Sequence, residues 1–304
     1  MCWRSPQTAI AVSRASRRFL LGLIAALLAG LPAAAADLEL SPDSTLEGVL
    51  RRGTLRVGFE AGYMPFQMID KRGGLRERTL RPADIRKGGQ QASFIGFDID
   101  IAREMAKELG VTFVPVNTFW TSIIPALTVG RFDIIISGMS ITPERQRKVD
   151  FADPYLTVGQ TVLLAAKHKD SVSGYSALDD PSFTVASKPG TTGEAAVKRH
   201  LPRATYRPFD TELAGAMAVK EGAVDAFVYD LPYNTVFAAM HGGEALILLD
   251  EPFTDESIAW AIRKGDPDFL NWLNKFLAEI KEDGRFEKIR AKWFDRTDWF
   301  ARVR

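Results

Sequence analysis

Three features of this chain have the residue types and positions to do chemistry on a ligand. Residues 130 to 147 read GRFDIIISGMSITPERQR: an apolar strand-like run, a Ser-Gly break, then Ser140, Thr142 and Arg145. The planar guanidinium fork of an arginine suits a carboxylate bidentately, in a way a lysine ammonium does not. A bland alternative is that Arg145 pairs with Glu144 or Asp150 on a surface helix. Further on, SKPGTTGEAAVKR places Gly190, Thr191 and Thr192 at a strand-to-helix junction. There, free backbone amides and the helix dipole favour an anion. Thr191 with Glu194 also fits a capping box, and both roles are compatible. Finally VYDLPYN leaves Asp230 at the end of a buried strand, where a carboxylate needs a cationic partner. A ligand carrying both a carboxylate and an ammonium answers all three.

The elements that must hold these residues alternate in type. TLRVGFE is strand-like. Asp98 to Leu109 has Ala102, Met105, Ala106 and Leu109 at helical spacing and ends at Gly110. VTFVPV, TSIIPALTV and FDIIIS follow as strand, helix and buried strand, a βαβαβ pattern of parallel type. FTVAS, Thr192 to His200, ATYRPF, ELAGAMAVKE and VDAFVYD repeat the order. ALTVGRFDIIIS and AVKEGAVDAFVY share a helix, a glycine, two residues, an aspartate and an apolar strand, a weak internal repeat that points to two lobes of similar topology. In open α/β sheets, ligands bind outside the carboxyl ends of the strands, which is where Arg145 and Asp230 fall. The C-terminal stretch DFLNWLNKFLAEIKEDGRFEKIRAKWF puts Phe269, Leu273, Phe276, Leu277 and Ile280 on one helical face, with a break at Gly284, and reads as a packed helix pair.

Composition bounds the partners. The 304 residues are 46% hydrophobic, with 39 Lys and Arg against 38 Asp and Glu. Such a balance supplies no field for nucleic acid, and the length suits two lobes. Arg14, Arg17 and Arg18, the run FLLGLIAALLAGL and then PAAAAD form the pattern of a secretory signal peptide over residues 1–36, with a mature start near Asp37. Ser16 to Leu20 also loosely matches a twin-arginine signal. The single cysteine, Cys2, precedes the apolar run and makes no disulfide framework. Asp98 and Asp100 are read as acids facing a helix N-terminus, with no His or Cys to make a metal site. His168, His200 and His241 lie apart. No metal or cofactor is expected.

The motifs IGFDIDIAREMAKELG, IIPALTVGRFDIIISGMSITPERQRKVDFADPY, KPGTTGE, VDAFVYD and the C-terminal helices together resemble the family 3 bacterial extracellular solute-binding proteins, periplasmic amino-acid receptors of ABC importers. The resemblance spans residues 46 to 295. It implies a two-lobed α/β fold of the type II periplasmic-binding-protein kind, with two hinge strands and a ligand cleft between the lobes. Lobe 1 is expected over 37–157 plus 249–304, with a loop insertion at 71–93, and lobe 2 over 158–248. By the same resemblance Arg145 binds the ligand carboxylate and Asp230 the α-ammonium. Gly138 and Ser140 offer backbone and hydroxyl groups, Thr191 and Thr192 form the helix-terminus loop, and Tyr63 and Trp120 sandwich the ligand side chain. Phe119 adjoins Trp120 and leaves that register open by one. Glu60 lies where relatives that bind polar or basic side chains often have an acid. The implied protein is a periplasmic monomer that captures an L-amino acid by lobe closure and presents it to an inner-membrane permease. The alternative is an enzyme on the same scaffold: cyclohexadienyl dehydratases resemble these receptors and place an acid near the loop reading PGTTGE, which makes Glu194 the candidate. A receptor that serves a separate membrane sensor is a third possibility.

Overall fold

The computed structural model describes residues 40–73 and 93–303. The expected signal peptide and residues 74–92 of the expected insertion lie outside the described residues.

Helix α1 (Thr45–Arg52) opens the described chain, capped by the Ser44 hydroxyl at one end and by left-handed Gly53 at the other. Strand β1 (Thr54–Phe59) follows, then the short pair β2 (Met68–Ile69) and β3 (Phe94–Ile95). Helix α2 (Phe97–Glu108) leads to β4 (Thr112–Asn117), and α3 (Trp120–Thr128) leads to β5 (Ile134–Ile135). The short α4 (Pro143–Gln146) and β6 (Val149–Phe151) complete this passage. The run FDIIIS contributes only two residues to the ladder. Beyond Ile135 the chain leaves the sheet as a loop that carries Ser137, Gly138 and Ser140.

Strand β7 (Leu156–Val158) runs into β8 (Gln160–Ala165), after which come β9 (Thr184–Ser187), α5 (Thr192–His200), β10 (Thr205–Pro208) and α6 (Glu212–Lys220). Then follow β11 (Ala226–Asp230), α7 (Leu231–His241) and β12 (Leu246–Leu249). The chain returns through β13 (Glu256–Ile258) and β14 (Ala261–Arg263) to the terminal helices α8 (Pro267–Glu282) and α9 (Arg285–Phe294).

These strands form two five-stranded sheets, one in each lobe, in the orders β4-β1-β5-β14-β6 and β10-β9-β11-β8-β12. In the first, β1 is parallel to β4 and β5; in the second, β9 is parallel to β10 and β11. Each sheet is completed by antiparallel strands, β14 and β6 in one and β8 and β12 in the other. The sequence repeat has a physical basis here. Gly130 and Gly222 both end helices at left-handed φ, 73° and 74°. The aspartates three residues later each clip the neighbouring parallel strand: Asp133 accepts from the Arg56 amide at 2.8 Å, and Asp225 from the Thr184 amide at 2.9 Å.

Two strands pass between the sheets. β7 and β13 pair antiparallel, Leu156 with Ile258 and Val158 with Glu256. This ribbon stands beside the site, and Ser140 bridges to Ile258 at its edge. The face of α8 expected to pack does so, with Phe269, Leu273, Phe276, Leu277 and Ile280 all buried. Asp266 caps that helix by accepting from Phe269, and the same carboxylate accepts from Ser44 and Thr45 of the first helix. Helices α1 and α8 are thus tied together at their N-terminal ends. Among the described residues no helix is long and apolar enough to cross a membrane.

Candidate functional site

All nine residues singled out from the sequence line one cavity: Glu60, Tyr63, Trp120, Gly138, Ser140, Arg145, Thr191, Thr192 and Asp230. Ser137, Glu212 and Tyr229 line it as well.

Arg145 reaches the cavity because Pro143 and the Thr142 cap start a helix of a single turn directly after the strand-end loop. Its Nη1 donates to the Ser140 carbonyl at 2.8 Å and its Nη2 to the Gly190 carbonyl at 3.3 Å. The guanidinium lies over the Trp120 ring, 5.1 Å from its centroid. Neither acid offered as a bland partner takes it: Glu144 pairs with Lys148, and Asp150 with Lys264. Among the described residues no carboxylate forms an ion pair with this buried arginine. Burial pulls its pKa down, while Glu256 and Asp230 pull it back up. An arginine nevertheless stays charged in a protein, so this cation calls for an anion from elsewhere.

Gly138 adopts φ 53°, and a Cβ there would come within 2.4 Å of the Tyr63 ring, so only glycine fits the loop. Asp98 holds that loop. It is fully buried on α2, and it accepts from the Gly138 amide at 2.8 Å and the Tyr155 hydroxyl at 3.0 Å. The expectation of a simple N-terminal acid therefore holds better for Asp100, which pairs with Arg103 and Lys292 nearer the surface.

Asp230 ends β11 and directly precedes α7, but its carboxylate makes no capping hydrogen bond to that helix. The Tyr63 hydroxyl donates to one carboxylate oxygen and the Gln160 amide to the other. Burial first, and then the charge of Glu256, push its pKa up to about 7 against the opposing pull of those hydrogen bonds and of Arg145. Glu256, on the β13 ribbon, accepts from Ser140 Oγ at 2.8 Å, Thr254 Oγ1 at 2.9 Å and Gln160 Nε2 at 3.0 Å. One end of the cavity therefore sets a lone arginine against an aspartate backed by a glutamate.

The helix N-terminus of the second sheet forms the adjoining wall. Thr191 caps α5 by accepting from Glu194, and Glu194 in turn accepts from the Gly190 amide at 2.7 Å, one residue before the cap. Glu194 also pairs with Lys198 and lines an adjoining groove that shares Trp120, Arg145, Thr191 and Thr192 with the inner cavity, whose own lining does not include Glu194. Although burial raises its pKa, Lys198 and the Gly190 amide outweigh that and hold it below the usual carboxylate range. Trp120 Nε1 donates to the Gly190 carbonyl at 2.8 Å, while Phe119 is 78% exposed; the aromatic that faces the cavity is therefore Trp120.

Glu60 accepts from the Trp120 amide and pairs with Lys188, whose ammonium also pairs with Glu212 at 2.9 Å. The Tyr229 hydroxyl donates to the same Glu212 oxygen at 2.9 Å. Burial leads the causes that raise the Glu60 pKa, and Lys188 opposes it. Sequence reasoning missed Lys188, Glu212, Gln160 and Glu256. The first two carried a signal: Lys188 directly follows β9 and Glu212 begins the helix after β10, the same strand-end positions that marked Asp230. Gln160 and Glu256 lie in strands close to the β7/β13 crossing, and nothing local in the sequence marks them. Among the described residues no group of three His, Cys, Asp or Glu side chains is placed to hold a metal ion.

The family described as bacterial extracellular solute-binding proteins, family 3, matches residues 77–296. The chain belongs to that family. A binding component assigned to an ABC transporter of Wolinella succinogenes, solved with lysine, is 44% identical, covers 82% of this chain and 99% of its own, and superposes with a TM-score of 0.74. The L-cystine-binding protein TcyJ of Escherichia coli is 26% identical over 279 residues, 91% of this chain and 95% of its own. The cyclohexadienyl dehydratase of Pseudomonas aeruginosa is 25% identical over 262 residues, 86% and 90% of the two chains. Both chemistries anticipated for this scaffold are therefore represented among its relatives.

Proposed function

We propose that this protein is the periplasmic binding component of an amino-acid ABC importer, and that its ligand is an L-amino acid with a cationic side chain. The observation that carries the reading is the opposition of Arg145, buried without an ion-pair partner among the described residues, to Asp230 within one cavity. The α-carboxylate lies on the guanidinium fork and on the amides at the start of α5, and the α-ammonium lies on Asp230. Four carboxylates, Glu60, Glu212, Asp230 and Glu256, stand in or directly behind this cavity against two cations, Arg145 and Lys188. The excess of acid favours a ligand of net positive charge, in line with the lysine-bound relative.

Capture works by closure. Arg145 and Gly138 belong to one lobe and Thr192 and Asp230 to the other, so the full set of contacts exists only when the lobes meet, and the ligand shifts the population toward that state. The β7/β13 ribbon is the hinge. A monomer that presents its closed form to an inner-membrane permease follows from this cycle, with export to the periplasm by the N-terminal signal.

The dehydratase relative makes an enzyme the competing reading. Glu194, its candidate acid, is held ionised by Lys198 and the Gly190 amide and lies off the inner cavity, which supports binding instead. The test is a thermal-shift and calorimetric screen of ligand-stripped protein against the twenty amino acids, prephenate and arogenate. Saturation at a hundred times Kd adds about 2.7 kcal/mol of stability, a clear rise in melting temperature. Stabilisation by arginine or lysine without turnover is the expected result; turnover of prephenate with no amino-acid shift would refute the proposal.

A further inference from the structure

In the scheme above Lys188 enters only the charge count and is given no contact with the ligand. Its side chain is only 4% exposed, yet it reaches across the cleft from the end of β9 to Glu60, which follows β1 in the other lobe, while keeping Glu212 of its own lobe. Glu60 and Glu212 line the inner cavity. Lys188 instead lines a second depression on the outer side, with Glu60, Phe119, Trp120, Pro189 and Asp210. The Glu60–Lys188 pair is therefore the partition between the two spaces.

Charge counting gives this partition a role. Two carboxylates share one fixed ammonium, leaving one negative charge, and burial holds Glu60 above its ordinary pKa. A ligand side chain that brings a cation completes the neutralisation but approaches the Lys188 ammonium, and like charges in a partly desolvated site repel strongly. A neutral side chain meets carboxylates already half satisfied. Without Lys188 both carboxylates would depend on the ligand.

We propose that Lys188 is a specificity-determining residue: by occupying part of the Glu60–Glu212 site with a protein-borne ammonium, it limits how strongly the cleft prefers a cationic side chain over a neutral one of the same length. The inference rests on the amino-acid reading given above. It is tested by isothermal titration of wild type, Lys188→Met and the double variant Glu60→Gln/Lys188→Met with L-arginine and L-citrulline, which differ by a guanidinium against a neutral urea. In Lys188→Met the arginine-to-citrulline affinity ratio rises at least tenfold. In the double variant, which restores the charge count of the wild type, it returns to within threefold of wild type; a purely packing role for Lys188 would not be reversed by removing the Glu60 charge. Lys188→Gln, which keeps donors for both carboxylates, takes the place of Lys188→Met should that variant fold poorly. A ratio within twofold of wild type in the Lys188 variants, in a protein that binds arginine, overturns the inference alone. A wild type that binds lysine but neither of these compounds is titrated with L-lysine and L-norleucine in their place, and one that binds no cationic amino acid overturns the cationic-ligand reading and the inference with it.

Discussion

Asp230→Asn separates the needs of the ligand from those of the fold. The carboxyl ordinarily titrates near 3.8 and is pushed up to about 7, by burial first and by Glu256 second. At 1.36 kcal/mol per tenfold, keeping it ionised in the folded protein at pH 8 costs about 4 kcal/mol. The sign follows from the raised folded-state value. Below pH 4 the group is protonated whether folded or unfolded and costs nothing; between pH 4 and 7 the unfolded chain ionises first and the cost grows; above pH 7 it is fully present. Asparagine imitates the protonated acid. The Tyr63 hydroxyl can still donate to its carbonyl, and Gln160, whose Oε1 is buried without a partner among the described residues, can turn to receive its amide. That turn weakens the bond from Gln160 to Glu256, a loss of about 1 kcal/mol. Urea unfolding of ligand-stripped protein at pH 8, 6 and 4 should therefore show the variant about 3 kcal/mol more stable than wild type at pH 8, with the gap closing by pH 4. Calorimetry should show amino-acid binding weakened at least about 100-fold, since the ligand ammonium would be left in the site without its counter-charge. Equal stability at pH 8, a gap that persists at pH 4, or undiminished binding would refute the reasoning.

Further expectations follow from other parts of the site and its frame. Arg145→Lys keeps the charge but loses the fork to the Ser140 and Gly190 carbonyls and to the ligand, so calorimetric affinity should drop by roughly 10- to 100-fold although the variant stays folded by circular dichroism. Gly138→Ala requires a residue with a side chain at φ 53° and pushes against the Tyr63 ring, so ligand affinity should fall at least about tenfold while overall stability falls by about 1 to 3 kcal/mol. Asp266→Ala removes the cap of α8 and the acceptor shared by Ser44 and Thr45, at a cost of about 2 kcal/mol; melting temperature should decrease with ligand affinity at saturating closure unchanged. Asp98, also raised to about 7 by burial, should follow the same pH sign as Asp230: Asp98→Asn gains stability at pH 8 relative to pH 4, and its loosened hold on Gly138 is read as weaker ligand binding.

Much of this arrangement was legible in the sequence because it rests on local rules. Helix-ending glycines, threonine caps and apolar runs located the elements, and the rule that ligands gather at the carboxyl ends of parallel strands selected Arg145, Thr191, Thr192 and Asp230. Resemblance to a family added Glu60, Tyr63, Trp120, Gly138 and Ser140, which no spacing would have chosen, since aromatics and glycines near strand ends serve cores and turns more often than sites. The strand FDIIIS was read too long because its apolar residues continue past Ile135, whereas its ladder partners do not.

What the sequence determined by itself was the order of elements, the doubled βαβ unit and the chemical types gathered at one sheet edge, because each depends on neighbours a few residues apart. Only the tertiary structure decided which of those groups meet. Glu60 faces Lys188 across 128 residues of chain, Tyr63 faces Asp230 across 167, and Glu256 joins Ser140 across 116. Charges at such separations are independent in the sequence. They become partners when two sheets, linked by the β7/β13 ribbon, bring their strand ends together around a cavity where Arg145 and Asp230 are buried, and there each unpaired charge is costly enough to determine what the cavity accepts.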